Sequence, residues 1–137
     1  MGFRIFSTVA EQIAAHAAAD TPREACGLLL GCDNRVERAV PAANVAADPL
    51  TGFEIDPALL LRCHREARQD GLAILGWYHS HPNGRPSPSA EDAARAGEAG
   101  KLWLIVAGGT LHAYVSTADT PRFTPTDLNI LPPGAAG

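Results

Sequence analysis

The sequence is short of several residue types at once. Its 137 residues include one Lys, one Met and three Cys, and only 6% are aromatic. No apolar run reaches the roughly 18 residues that a membrane-spanning helix needs, so no such span is expected. Cys26, Cys32 and Cys63 form an odd set without C-x-x-C spacing, which argues against both a disulfide framework and a thiolate zinc knuckle. Eleven basic residues against fifteen acidic ones leave a net charge of -4, the wrong sign for a general nucleic-acid binder. The opening residues, Met1 to Phe6, lack a basic segment followed by a long apolar stretch, and Phe6 stands where a myristoylation signal wants Ser or Thr. Together with cysteines that read as reduced, this predicts a cytoplasmic protein.

What is present suits one globular domain. Hydrophobic residues make up 46% of the chain and charged residues 19%, enough apolar material for a core and too little charge for a disordered polyelectrolyte. Phe3 and Ile5 alternate with polar neighbours and predict a first strand. Thr8-Val9-Ala10-Glu11 has capping-box spacing and predicts a helix to about Ala19. Ala25 to Gly31 is an apolar run of buried-strand length, and a turn at Asp33-Asn34 leads to a partner strand from Arg35 to Val40. Residues 41–52 read as loop. Asp56-Pro57 is an N-cap with proline at the first helical position, and Gly71 closes a helix whose apolar face is Leu59, Leu60, Cys63 and Ala67. A strand over Leu72 to Tyr78, a turn-rich loop over Pro82 to Pro88 and a helix starting near Ser89 follow. Leu102 to Ala107 and Leu111 to Ser116 form a hairpin about Gly108-Gly109-Thr110. The fold class is α/β to α+β, a mixed sheet covered by helices.

The chemistry lies in His79-Ser80-His81-Pro82 and the residues after it. Side chains alternate along an extended chain, so His79 and His81 point to the same side and can converge on one metal ion. Asp92 follows in the first turn of a predicted helix. A His, His, carboxylate set leaves a fourth tetrahedral position open, which is the pattern of catalytic zinc, and its nitrogen ligands argue against magnesium or calcium. Chance alone yields a His-x-His pair in roughly one sequence in five or six of this composition. Requiring also the proline, a serine and the aspartate at fixed offsets lowers that to roughly one in tens of thousands. Ser89 to Asp92 equally reads as a capping box, with Ser89 capping the helix and Asp92 reaching back. His16, His64 and His112 have no such company and read as ordinary surface or half-buried side chains. Cys26 reads as a small buried hydrophobe. Glu24, alone before an apolar run, reads as a solvated surface carboxylate, and no spacing ties it to His79.

Glu24 to Gly31, then His79-Ser80-His81-Pro82, then Ser89 and Asp92, resemble the JAMM motif of MPN-domain metalloproteases, a Glu followed at a distance by His-Ser/Thr-His-Pro and Ser-x-x-Asp. The resemblance runs from the first strand to about Phe123 and is to the compact prokaryotic members. It implies a JAMM/MPN domain over residues 1–124; residues 125–137, rich in Pro, Gly and Ala, read from composition as a loosely ordered tail. It also implies a curved mixed sheet flanked by helices, related to the cytidine-deaminase-like group, although the His-x-Glu and Pro-Cys-x-x-Cys elements of a deaminase are absent. Carried onto this chain, the family pattern makes His79, His81 and Asp92 the ligands of one zinc ion, Glu24 the general acid/base and Ser89 a stabiliser of the oxyanion. The implied substrate is an amide after the C-terminal Gly-Gly of a ubiquitin-like or sulfur-carrier protein. Trp77 and Tyr78 either line the groove for that tail or pack in the core. A non-catalytic MPN interaction module and a small-molecule zinc amidohydrolase are the alternatives.

Overall fold

The computed structural model describes residues 2–119 and 122–132. Strand β1 (Phe3–Phe6) runs directly into helix α1 (Ser7–Asp20). With no linker between them, Phe6 takes the cap position and makes no side-chain cap bond, so the box expected from Thr8 and Glu11 does not form. Strands β2 (Cys26–Cys32) and β3 (Arg35–Ala42) follow, and β3 takes up the first two residues of the expected loop. Their turn places Asp33 and Asn34 at φ 52° and 60°, the left-handed pair that a two-residue hairpin requires and that these residue types tolerate.

Helix α2 (Pro57–Gln69) begins as expected, with the Asp56 carboxylate accepting from the Ala58 amide. Strand β4 (Ala73–Ser80) outlasts its predicted end and takes in His79. Helix α3 (Ala90–Arg95), β5 (Leu102–Ala107) and β6 (Thr110–Ser116) come next, the last two joined at Gly108 and Gly109, both at positive φ. The tail departs from expectation. Strand β7 (Phe123–Pro125) pairs with β6, and β8 (Leu128–Leu131) pairs in parallel with β1, which supplies the backbone partners that a short polar-flanked segment cannot find by itself. Residues 133–137 lie outside the described residues.

The eight strands among the described residues form one mixed sheet in the order β7-β6-β5-β4-β2-β3-β1-β8. Alternation sends Leu29, Tyr78, Leu104 and Val106 to the face covered by α1, where Val9, Ile13 and Ala17 meet them. Leu28, Leu30 and Ile74 point the other way, onto Cys63 and Ala67 of α2. A third cluster, around Phe53 and Trp103, extends that second face toward the C-terminal end of β4. Among the described residues, no helix is long and apolar enough to cross a membrane.

Candidate active site

The antiparallel pairing of β2 with β4 sets Cys26 opposite His79. The amide of Ser80 donates to the Ala25 carbonyl at 3.0 Å, extending the ladder past the end of β2. Continuing that register brings Glu24 alongside His81, although 57 positions separate them in the chain. Glu24, His79 and His81 each present a ligand atom, and these atoms lie within 4.8 Å of one another. Glu24 is 5% exposed, so its reading as a solvated surface residue is corrected. Burial pushes its carboxyl up to about 7 against the pull of His81, and the nearby Asp92 and Glu91 carboxylates push the same way.

Asp92 arrives from α3. The Ser89 hydroxyl accepts from the Asp92 amide at 3.1 Å, and Asp92 Oδ2 accepts from the Ser89 amide at 2.9 Å, a complete capping box. The same Oδ2 lies 3.2 Å from His79 Nε2 and 3.1 Å from His81 Nε2. The capping-box reading of this segment holds, and the box that starts the helix also aims the carboxylate at the histidines. Burial alone would raise Asp92, but hydrogen bonds to His79 and His81 outweigh it and hold the carboxyl well below the usual range.

His81 donates from Nδ1 to the Arg85 carbonyl at 2.8 Å; in the neutral ring this leaves Nε2 as a lone-pair donor facing the cluster. Burial opposes charge on His81, yet its bonds to Asp92 and to Arg85 raise its pKa overall. Complete burial lowers that of His79 despite Asp92. Phe53 stacks on the His79 ring, centroids 4.4 Å apart, and fixes its plane.

These groups fit a cation. Glu24 Oε1 is buried without a hydrogen-bond partner, the Glu24 carboxylate clusters with His79 and His81, and the Asp92 carboxylate faces the same two histidines. A tetrahedral zinc site with bonds of about 2.0–2.1 Å has ligand-to-ligand edges of about 3.3 Å. His79 Nε2, His81 Nε2 and Asp92 Oδ2 stand 3.1 to 3.2 Å apart. Beside them opens a cavity of about 190 Å³, lined by Glu24, Leu50, Thr51, His81, Arg85 and Ser89 among others.

Of the two aromatic residues ahead of His79, Tyr78 is core: its hydroxyl shares a 2.6 Å hydrogen bond with His16 Nδ1 beneath α1. Trp77 is half-buried and lines a separate groove of about 240 Å³ with Phe53 and Trp103. Cys26 is buried and its thiol is pushed up to about 12 by burial, which makes it an inert apolar side chain. Sequence reasoning passed over Asn44 and Phe53. Phe53 sits in a segment without periodicity, and nothing local marks an asparagine that bonds to residues 20 positions away.

Comparison with known proteins bears on this arrangement. The family described as prokaryotic homologs of the JAB domain matches residues 7–122. A desampylase of Haloferax volcanii is 41% identical over 109 residues, covering 77% of this chain and 78% of that protein. A CysO-cysteine peptidase of Mycobacterium tuberculosis is 31% identical over 102 residues, covering 73% and 69%. The solution structure of a Desulfitobacterium hafniense protein superimposes with a TM-score of 0.81 at 29% identity, over 95% of this chain and 93% of that one. The chain belongs to the prokaryotic JAB family and is a JAMM/MPN-domain protein.

Proposed function

We propose that this hydrolytic peptidase uses zinc to cleave the amide bond that follows the C-terminal Gly-Gly of a ubiquitin-like or sulfur-carrier protein. The names of its relatives, a desampylase and a CysO-cysteine peptidase, support conjugates of such proteins as the substrate class. His79, His81 and Asp92 hold the ion. When bound, zinc supplies Lewis acidity and a water whose pKa falls toward about 7.

Glu24, whose carboxylate stands in the same cluster as the two histidines, takes a proton from the attacking water. As the carbon–nitrogen bond breaks and the new carbon–oxygen bond remains, Glu24 delivers that proton to the leaving amine. Ser89 Oγ accepts from the Asp92 amide, and its hydroxyl hydrogen remains for the developing oxyanion. A glycine tail suits the site because it brings no side chain into a small cavity.

One observation carries the reading: a buried carboxylate, orphaned at Oε1, in the same cluster as two histidines. The test is metal analysis of the purified protein together with hydrolysis of a Gly-Gly-amide fusion by wild type and Glu24→Gln. One equivalent of zinc and turnover that Glu24→Gln and chelation each abolish are expected. Turnover that survives both sinks the mechanism.

A further inference from the structure

The peptide unit that follows Glu24 lies outside the β2 ladder, yet both of its polar groups are held by side chains. Asn44 Nδ2 donates to the Glu24 carbonyl at 3.0 Å. Ser80 Oγ accepts from the Ala25 amide, the other end of the same peptide, at 2.8 Å. The Glu24 amide itself donates to the Pro49 carbonyl at 2.8 Å.

Asn44 is saturated. Its Nδ2 also donates to the Gly52 carbonyl at 2.9 Å, and its Oδ1 accepts from the amides of Ala46 and Glu54 at 3.0 and 3.1 Å. Only this orientation of the amide satisfies all four partners. The bonds fasten the segment carrying Leu50, Thr51 and Phe53 to the backbone of Glu24, so one side chain registers the cavity wall and the carboxylate against each other. Ser80 stands between the two histidines and faces away from them. Its hydroxyl ties the strand that bears His79 to the residue next to Glu24.

We infer that Asn44 and Ser80 are positioning residues, which clamp the Glu24–Ala25 peptide from its two ends and thereby set the Glu24 carboxylate against the histidine cluster. The inference rests on Glu24 being the proton-transfer group. It adds a role for the residue between the histidines that needs no nucleophile: a buried hydroxyl acting on the backbone. A further cavity, of about 230 Å³, borders Ser80 on the α1 side.

The experiment compares Ser80→Thr, Ser80→Val, Asn44→Asp and Glu24→Gln with wild type on the Gly-Gly-amide fusion, recording kcat, KM, bound zinc and hydrogen exchange of the Ala25 amide. Threonine and valine share a shape and differ in the hydroxyl. Asn44→Asp keeps both acceptor contacts and loses both donors. Ser80→Thr is expected to stay within about threefold of wild type, whereas Ser80→Val and Asn44→Asp lose about tenfold to a hundredfold in kcat, as misplacement of a reacting group does. KM and zinc content hold, and the Ala25 amide exchanges faster in Ser80→Val alone among the Ser80 variants. Wild-type kcat in Ser80→Val or Asn44→Asp beside an inactive Glu24→Gln overturns the inference, as does a loss that follows zinc content. If Ser80→Val does not fold, Asn44→Asp decides. Full turnover by Glu24→Gln is a different result, which removes the functional reading and the clamp's purpose with it.

Discussion

Replacing Glu24 with glutamine should make the metal-free protein more stable, and the gain should depend on pH in a set direction. In the fold the Glu24 carboxyl sits at about 7 against an ordinary 4.5. Because the folded value is the higher one, the stability contributed by the neutral carboxyl is present below about 4.5 and is lost as pH rises through about 7. Integrating between the two values gives a loss of about 1 kcal/mol at pH 5 and about 3 kcal/mol at pH 8. Glutamine has the same shape and no charge, so its advantage over wild type should be about 2 kcal/mol larger at pH 8 than at pH 5. For a chain of this length that is roughly 6 °C in melting temperature. The assay is thermal unfolding followed by circular dichroism in the presence of a chelator, for both proteins at both pH values. Any change in hydrogen bonding by the amide is common to the two conditions and cancels. A difference between the proteins that is equal at the two pH values, or larger at pH 5, refutes the argument that burial of this carboxylate is what raises it.

Asp92→Asn keeps an oxygen for the Ser89 amide but removes the charge that faces both histidines. Free zinc at a hundredfold above its Kd should stabilise wild type by about 2.7 kcal/mol, and an equal concentration should leave the melting temperature of the variant within error. A matching shift in both proteins would remove Asp92 from the ligand set. Gly27→Ala would put a methyl group 2.2 Å from Tyr78 Cε2, forcing the ring off its bond to His16. A loss of about 1–3 kcal/mol is expected from such overpacking, and a wild-type urea midpoint would contradict the tight approach. Phe53→Ala removes the ring stacked on His79, and about 3–4 kcal/mol of stability should go with it in the same titration.

The parts of the site that sequence makes legible are those built from local period. His79 and His81 share a side because alternation demands it, and Ser89 and Asp92 cap a helix because helix starts need partners for their free amides. Glu24 is different in kind. Its place beside His81 depends on the register of β2 against β4, a long-range choice that no window around residue 24 contains. The motif resemblance supplied the residue, and the pairing supplies the reason. The same limit explains β8. Leu128 to Leu131 has little apolar pattern of its own and becomes a strand because β1 offers it an edge. The hairpin turns were legible for the opposite reason, since Asp33-Asn34 and Gly108-Gly109 carry their backbone preference in the residues themselves.

The double use of Asp92 ties two equilibria together. Helix α3 spans six residues, too few to persist by itself, and its first turn is held by the side chain that also faces the histidines. On the proposed ligand set, whatever favours the helical form of this segment would favour cation capture, and by reciprocity a captured cation would favour the helix. Ala94 is exposed on α3 and is not among the residues that line the cavity. A glycine there, costing about 1 kcal/mol of helix propensity, should weaken metal affinity by up to about fivefold without touching a ligand. On that ligand set, affinity would be adjustable from the solvent side of a short helix, where substitutions are otherwise of little consequence.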